Sequence, residues 1–397
     1  MLSTTFKNEI QQELENILQF WVHNAVDEKQ GGFIGKMDSE GLIHPEAPKG
    51  GVLNARILWT FSAAYNHSGN AQYLEMAKRS YHYIQQYFKD NQYGGVYWSL
   101  DYQGNPLSTR KQIYSQAFTL YGLAEFYKAT QEEEALHFAK ELFKLIEQYS
   151  YDPVQGGYWE AFSQDWQLLD DLRLSEKDRN DPKTMNTHLH ILEAYSTLYS
   201  VWKDDFLATQ IRNLLAIFAE KIIDPANNHM LLFFDKNWVS QSAGISYGHD
   251  IEAAWLLLEA AEVLHDEALI TKFKAIAVSM AEASREGLQA DGSLVHEYDQ
   301  VSKHYDTHRE WWVEAEGMVG FLNAYQIEQK EDYLDIIQGL WDFTKKYLID
   351  PEKGEWIWGV YEDYSPMKSE DKMGFWKCPY HNARACMEVI RRINGNG

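Results

Sequence analysis

Cysteine is nearly absent from the 397-residue chain. The two that occur, Cys378 and Cys386, are too few for a disulfide framework and wrongly spaced for a CxxC metal or redox pair, so both read as packed thiols. Proline is scarce, with nine residues, and no stretch rich in Pro, Ser or Gly marks a linker. One domain over residues 1–397 is therefore expected, although the length is about two to three times that of a typical domain. Positive charge is also short: 36 Lys and Arg face 59 Asp and Glu, a net charge of −23 that repels phosphate backbones and anionic membrane surfaces. Neither nucleic acid nor a membrane is an expected partner. No run of about 18 apolar residues is present. The first residues, MLSTTFKNEIQQELENILQF, intersperse charges at helical spacing where a secretion signal needs an apolar core. A cytoplasmic protein is expected.

Apolar side chains are plentiful, 45% against 24% charged, as in a globular protein with a sizeable core. Among them are 14 Trp, 25 Tyr and 18 Phe, which either fill that core or stack on the apolar faces of sugar rings. Many fall in six similar segments: QGGFIGKMDSEG, YGGVYWSLDYQG, QGGYWEAFSQDW, NHMLLFFDKNW, ADGSLVHEYDQ and KGEWIWGVYEDY. Each reads as a small β-hairpin. Their glycines Gly32, Gly95, Gly157, Gly292 and Gly354 lie 63, 62, 135 and 62 residues apart, and the long step holds two units because the segment near Met230 falls inside it.

Between hairpins lie two stretches with apolar residues at i, i+3, i+4 and i+7, such as 51–67 and 72–90, then 114–128 and 132–149. With helices predicted over 4–26 and 379–394, the pattern predicts twelve helices and six hairpins. A linear solenoid ends in polar capping repeats. This chain instead begins with one half of a helix pair and ends with the other half, so its first and last helices can meet. The predicted fold is all-α, an (α/α)6 barrel of six inner and six outer helices with short β-hairpins at one end; an open solenoid is the alternative.

In such a barrel the helix after each hairpin starts at the hairpin end, and its early positions face one cavity. Residues about 19 to 31 past the hairpin markers are Arg56, Tyr114, His188, His249, Trp312 and His381, all polar or aromatic in apolar helices. A guanidinium in the apolar helix around Arg56 needs a carboxylate partner or an anion to meet. His188 and His190, two apart, point to different helix faces, which argues against a shared metal and makes one of them structural. His249 and Glu252 share a face, as do Glu252 and Trp255, and Trp312 and Glu316; Trp311 turns away. The H-x-x-E pair reads as two metal ligands, a base with its orienting carboxylate, or a core hydrogen bond. His381 follows Pro379 in the first turn of the last helix, with Trp376 in the loop before it. With no H-E-x-x-H or Cys/His cluster, no metal is expected, and with no G-x-S-x-G elbow, phosphate loop or dinucleotide fingerprint, no other cofactor. Acid–base chemistry remains. Imidazoles with an ordinary pKa of about 6.5 suit enolisation of a sugar carbonyl better than glycoside hydrolysis, where a carboxylate pair is usual.

KGGVLNARILW, MNTHLHILEAY, YGHDIEAAWLLLEA, EWWVEAEG and GFWKCPYHNARACME occur in this order along nearly the whole chain. On these motifs the sequence resembles the N-acylglucosamine 2-epimerase superfamily. The last motif is more similar to the superfamily's disaccharide epimerases than to its acylhexosamine epimerases or its mannose and sulfoquinovose isomerases. The resemblance implies a barrel enzyme without metal or redox cofactor. It also implies inversion of C2 in the reducing-end glucose of cellobiose, lactose or related β-1,4-linked disaccharides, through ring opening and a cis-enediolate. Position by position it implies functional roles for Arg56, His188, His249, Glu252, Trp255, Trp312, Glu316 and His381, with Tyr114 and Trp376 as sugar contacts. His249 and His381 are then the expected pair of acid–base groups, with Glu252 orienting His249 and with Arg56 and His188 at the oxygens. A monomer or weak homodimer is expected. The rival readings are a monosaccharide or N-acylhexosamine 2-epimerase, an aldose–ketose isomerase, or an (α/α)6 glycoside hydrolase working with Glu252 and Glu316.

Overall fold

The two kinds of apolar pattern in the chain become two kinds of helix. In the computed structural model, which describes residues 2–395, twelve α-helices are present among the described residues. They are α1 (Thr4–Asn24), α2 (Gly51–Ser68), α3 (Ala71–Tyr83), α4 (Ile113–Thr130), α5 (Glu133–Leu145), α6 (Met185–Val201), α7 (Asp205–Ile217), α8 (Tyr247–Val263), α9 (Glu267–Ser284), α10 (Trp311–Glu328), α11 (Asp332–Phe343) and α12 (Tyr380–Ile393). Helices that are apolar on all sides sit inside: α4 buries every residue from Ile113 to Phe126. Helices with one apolar stripe sit outside: α5 buries Ala135, Leu136, Phe138, Ala139, Leu142 and Phe143 and turns Glu133 and Glu134 to solvent.

The inner helices α2, α4, α6, α8, α10 and α12 pack each against the next, and α12 packs back on α2 to close the ring. The outer helices α3, α5, α7, α9 and α11 lie against their inner predecessors, and α1 fills the sixth outer place against α12. Two indoles tie the first helix to the last unit: Trp341 Nε1 donates to Glu9 at 2.7 Å and Trp356 Nε1 to Glu13 at 2.8 Å. No helix is long and apolar enough to cross a membrane among the described residues.

Four outer helices, α3, α5, α7 and α11, run on into a π-turn, the last being Thr344–Leu348, where the sequence periodicity showed only continued helix. Hairpin bridges follow, Val26 to Phe33, Lys89 to Val96, Tyr151 to Tyr158, Ile223 to Met230, Leu288 to Leu294 and Ile349 to Trp356. All precede an inner helix, so they gather at one end of the ring. The short strand before an inner helix pairs antiparallel with the hairpin of the next unit, as in Lys111 with Phe162 and Lys183 with Phe234. Buried ion pairs hold these junctions, Lys111 to Asp90 and Lys183 to Asp152, each at 2.7 Å. Deleting one partner of such a pair strands the other charge, at about 3–5 kcal/mol.

Candidate active site

Counted from the first residue of each inner helix, side chains fall into layers. The second positions are Val52, Tyr114, Asn186, Gly248, Trp312 and His381. The sixth are Arg56, Phe118, His190, Glu252 and Glu316, completed on α12 by Arg384 one place earlier. Positions four apart share a helix face, and this face looks into the ring. The fourth positions face sideways and clamp the hairpins: Gln116 accepts from the Val96 amide at 2.8 Å, His188 from Tyr158 at 2.9 Å, Asp250 from Met230 at 2.7 Å and Glu314 from Leu294 at 3.1 Å.

His188 is thus one of these clamps and does not reach the cavity, contrary to the sequence expectation. Its Nε2 takes the Tyr158 amide and its Nδ1 donates to the Thr184 carbonyl at 2.6 Å, so both nitrogens are occupied. Burial lowers its pKa to about 4. Gly157, with φ +82°, leaves the room it needs, since a Cβ there would lie 2.7 Å from Nε2. The histidine that faces the cavity is His190.

At the hairpin end the ring opens into a cavity of about 440 Å³. Arg56, Tyr114, His249, Glu252, Trp312, Trp376 and His381 line it as expected by position, joined by Asn186, His190 and Trp358, which sequence reasoning missed. Trp311, expected to turn away, packs its ring 4.6 Å from Trp358 at the cavity wall. Trp255 and Glu316 lie beneath the floor and not in it. Trp255 Nε1 donates to Glu316 Oε2 at 3.1 Å, and Glu316 Oε1 accepts His381 Nδ1 at 2.7 Å.

The two expected acid–base histidines flank one indole, with ring centroids 4.7 Å (His249) and 5.8 Å (His381) from that of Trp312. Trp312 is fixed by its Nε1 bond to Glu310 at 2.8 Å. His249 Nδ1 lies 2.8 Å from Ser246 Oγ, while Glu252 is bound to Arg384 at 2.6 Å; Ser246, and not Glu252, orients His249. Burial, reinforced by neighbouring His190, His296 and His381, pushes His249 well below the usual imidazole value. Burial, with the charges of Arg56 and Arg384, does the same to His381. Both rings are neutral at pH 7, and neither Nε2 has a hydrogen-bond partner among the described residues. His190 is likewise lowered, by burial first, and its Nδ1 lies 3.0 Å from Glu193 Oε2. At the rim, burial of His296 is outweighed by Glu310, Asp306 and Glu297, which raise it to about 9.

Arg56 stands in the wall with no carboxylate bound to it among the described residues. Its Nη2 donates to Tyr114 Oη at 2.8 Å and its Nη1 weakly to the Trp376 carbonyl at 3.4 Å, and its guanidinium lies 4.3 Å from the Phe118 ring. Glu252, Glu316 and His381 hold donor atoms within 4.8 Å of one another, but Arg384 Nη2 is bonded at 2.6 Å to both carboxylates and takes the place a cation would fill. The signal for His190 and Arg384 was there in the sequence: His190 precedes Glu193 by three residues, and Arg384 follows His381 by three.

A closed helical ring whose one cavity gathers imidazoles, an arginine and tryptophans offers the groups that acid–base chemistry on a polyhydroxylated ring needs. The chain matches the N-acylglucosamine 2-epimerase family over residues 32–385. It is 48% identical over 385 residues to a cellobiose 2-epimerase of Bacteroides fragilis, covering 97% of this chain and 98% of that protein. A cellobiose 2-epimerase of Dictyoglomus turgidum is 42% identical over 391 residues, 98% of each. The solved structure of cellobiose 2-epimerase from Bacillus thermoamylovorans superposes with a TM-score of 0.94 at 42% identity, covering 98% of this chain and 100% of that one. The chain belongs to the N-acylglucosamine 2-epimerase family, and it is a sugar epimerase, an isomerase.

Proposed function

We propose that the chain, acting as one catalytic domain, inverts C2 of the reducing-end glucose of β-1,4-linked disaccharides, cellobiose to glucosyl-mannose and lactose to epilactose. The observation that carries this reading is the pair of neutral histidines on either flank of Trp312, each held through Nδ1 with Nε2 unbonded. The identity to several cellobiose 2-epimerases supports the choice of substrate.

Only the open-chain aldehyde has an acidic C2 hydrogen, so the ring opens first. His190, with Nδ1 against Glu193, presents a bare Nε2 that accepts the O1 proton. Glu252, lifted to about 8 by burial and by Glu316, still carries its proton at neutrality and supplies it to the ring oxygen. His381 then takes the C2 proton. Its Nδ1 faces a carboxylate, which only accepts, so the proton of the neutral ring sits on Nδ1 and the lone pair on Nε2. Negative charge passes to O1, where Arg56 meets it. His249 returns a proton to the other face of C2. Its partner is a hydroxyl, which both gives and takes hydrogen bonds and so tolerates either protonation state. The proton His249 delivers comes from solvent, and His381 gives its own to solvent before the next turnover. Ring closure runs the opening backwards, Glu252 recovering its proton from the ring-forming hydroxyl and His190 returning its proton to O1. The reverse reaction exchanges the two roles. Trp312 and Trp376 stack on the sugar rings, and the mouth beyond admits the second sugar.

The test is incubation with cellobiose, lactose, N-acetylglucosamine and mannose in deuterium oxide, followed by proton NMR. Glucosyl-mannose and epilactose with deuterium at C2 are expected. A ketose product, labelled at C1, or no reaction of either disaccharide, overturns the reading.

A further inference from the structure

One residue outside the expected set stands behind two of the working histidines at once. Arg384, on α12, is 1% exposed and lies beneath the cavity floor, its guanidinium 4.3 Å from the Tyr380 ring and 4.8 Å from that of Trp255. Three carboxylates from three inner helices converge on it: Glu193 from α6 on Nη1, and Glu252 from α8 and Glu316 from α10, each 2.6 Å from Nη2. Two of the three also hold an imidazole. Glu316 accepts His381 Nδ1 and Trp255 Nε1; Glu193 accepts His190 Nδ1 and the Tyr380 hydroxyl, the latter at 2.6 Å. Each is thereby surrounded by three donors, one of them Arg384. Glu252, with Arg384 as its one hydrogen-bond partner among the described residues, is the odd member.

We infer that Arg384 is a positioning residue that keeps Glu193 and Glu316 ionised and so locks His190 and His381 together in the Nδ1–H form, with both Nε2 lone pairs directed to substrate. This rests on the proposed acid–base roles of those histidines. Glu193 is held down to about 2, because Arg384 and His190 outweigh its burial. Burial raises both Glu252, to about 8, and Glu316; Arg384 and the Trp255 indole pull Glu316 back down, and of these two neighbours Glu252 is the one that keeps a proton. Without Arg384, two carboxylates would be buried without a counter-charge and would take up protons. A protonated Glu316 donates its O–H to His381 Nδ1, which moves the ring proton to Nε2 and removes the base. The same exchange at Glu193 switches His190.

The experiment is 15N NMR of histidine-labelled protein without substrate, paired with steady-state kinetics on cellobiose. Wild type should give Nδ1–H signals for His190 and His381. Glu193→Gln keeps oxygen toward Arg384 and Tyr380 and turns its amide to His190, so His190 alone should switch to Nε2–H. Arg384→Met should switch both and lower kcat at least 100-fold with KM within about threefold; Arg384→Lys should recover at least tenfold of that kcat. If Arg384→Met does not fold, Arg384→Lys is read in its place: one ammonium cannot serve both carboxylates as the fork does, and at least one histidine must switch. Unchanged tautomers in the folded Arg384 variant, or in Glu193→Gln, overturn the inference, as does a kcat in Arg384→Lys no better than in Arg384→Met. The NMR readout needs no substrate, so a wild type inert toward cellobiose would sink the proposed function and leave the tautomer result to stand or fall separately.

Discussion

Arg56→Met separates transition-state electrostatics from structure. In the folded protein Arg56 makes one good hydrogen bond, to Tyr114 at 2.8 Å, one weak bond to the Trp376 carbonyl, and close contacts with the Phe118 and Tyr380 rings, and the Cys378 thiol also faces its guanidinium. Losing the Tyr114 bond costs about 0.5–1.5 kcal/mol. Losing the cation–π contacts costs about 0.5–2 kcal/mol more. Relief from burying a charge without a carboxylate offsets much of this, so net destabilisation should stay near 1–2 kcal/mol, with a melting point a few degrees lower. Turnover should fall far more. An oxyanion donor of this kind contributes about 2.7–4 kcal/mol to the barrier, a loss of about 10²–10³ in kcat. Because the charge on O1 develops only in the enediolate, KM should stay within about threefold. Arg56→Lys keeps the charge without the planar fork and should fall between Met and wild type. The assay is initial-rate glucosyl-mannose formation over a range of cellobiose concentrations, with a thermal melt of each variant. A raised KM at unchanged kcat, or loss of the folded state, would refute the reasoning and leave Arg56 as a ground-state sugar contact or a structural residue.

His249→Ala and His381→Ala should each lose about 10²–10⁴ in kcat with the fold retained, since neither proton transfer has a substitute; residual activity above about a tenth of wild type in either would contradict the two-histidine scheme. His188→Gln should keep turnover within a few-fold and keep the hairpin clamp, because Gln116 fills the same position two helices earlier in the chain. The same variant should flatten the pH dependence of stability. A histidine held near 4 in the folded state contributes fully above about 6.5 and loses that contribution as pH falls toward 4, up to about 3 kcal/mol. Melts between pH 7 and 4 that keep the wild-type slope would show that His188 is not the group responsible. Dialysis against a chelator should leave activity intact, because Arg384 occupies the space between Glu252 and Glu316; loss of activity restored by a divalent ion would show that the guanidinium is displaced by metal.

The closed ring was legible because the chain starts and ends on half a helix pair, and the contact of α12 with α2 and α1 is its physical counterpart. The site was legible only in part. Distances counted from the hairpin glycines reach the second position of α4, α10 and α12 but the third of α8, the fourth of α6 and the sixth of α2, because the loops between hairpin and helix differ in length. That is how His188 was taken for the cavity residue in place of His190. Counting from the helix starts places both layers correctly. Those starts carry little sequence signal, however: α2, α4, α8 and α10 have no side-chain cap on their first turn, being held by strand pairing instead. Arg384 was passed over for a related reason. Its spacing of three from His381 puts it on the same helix face, but nothing in HNARACME tells that three carboxylates distant in sequence, Glu193, Glu252 and Glu316, will meet around it.

The helix that shuts the ring also delivers His381 and Arg384, and it follows the other eleven helices among the described residues. During synthesis, five of the six wall segments are complete before the base or its anchoring cation exists, so catalytic competence and closure of the seam are one event. Loosening of that seam should silence the enzyme while most helical signal persists, so heat inactivation should precede the melt seen by circular dichroism. The same seam is tied at its outer edge, where the side chains of Lys7, on α1, and Asn394, just after α12, are hydrogen-bonded.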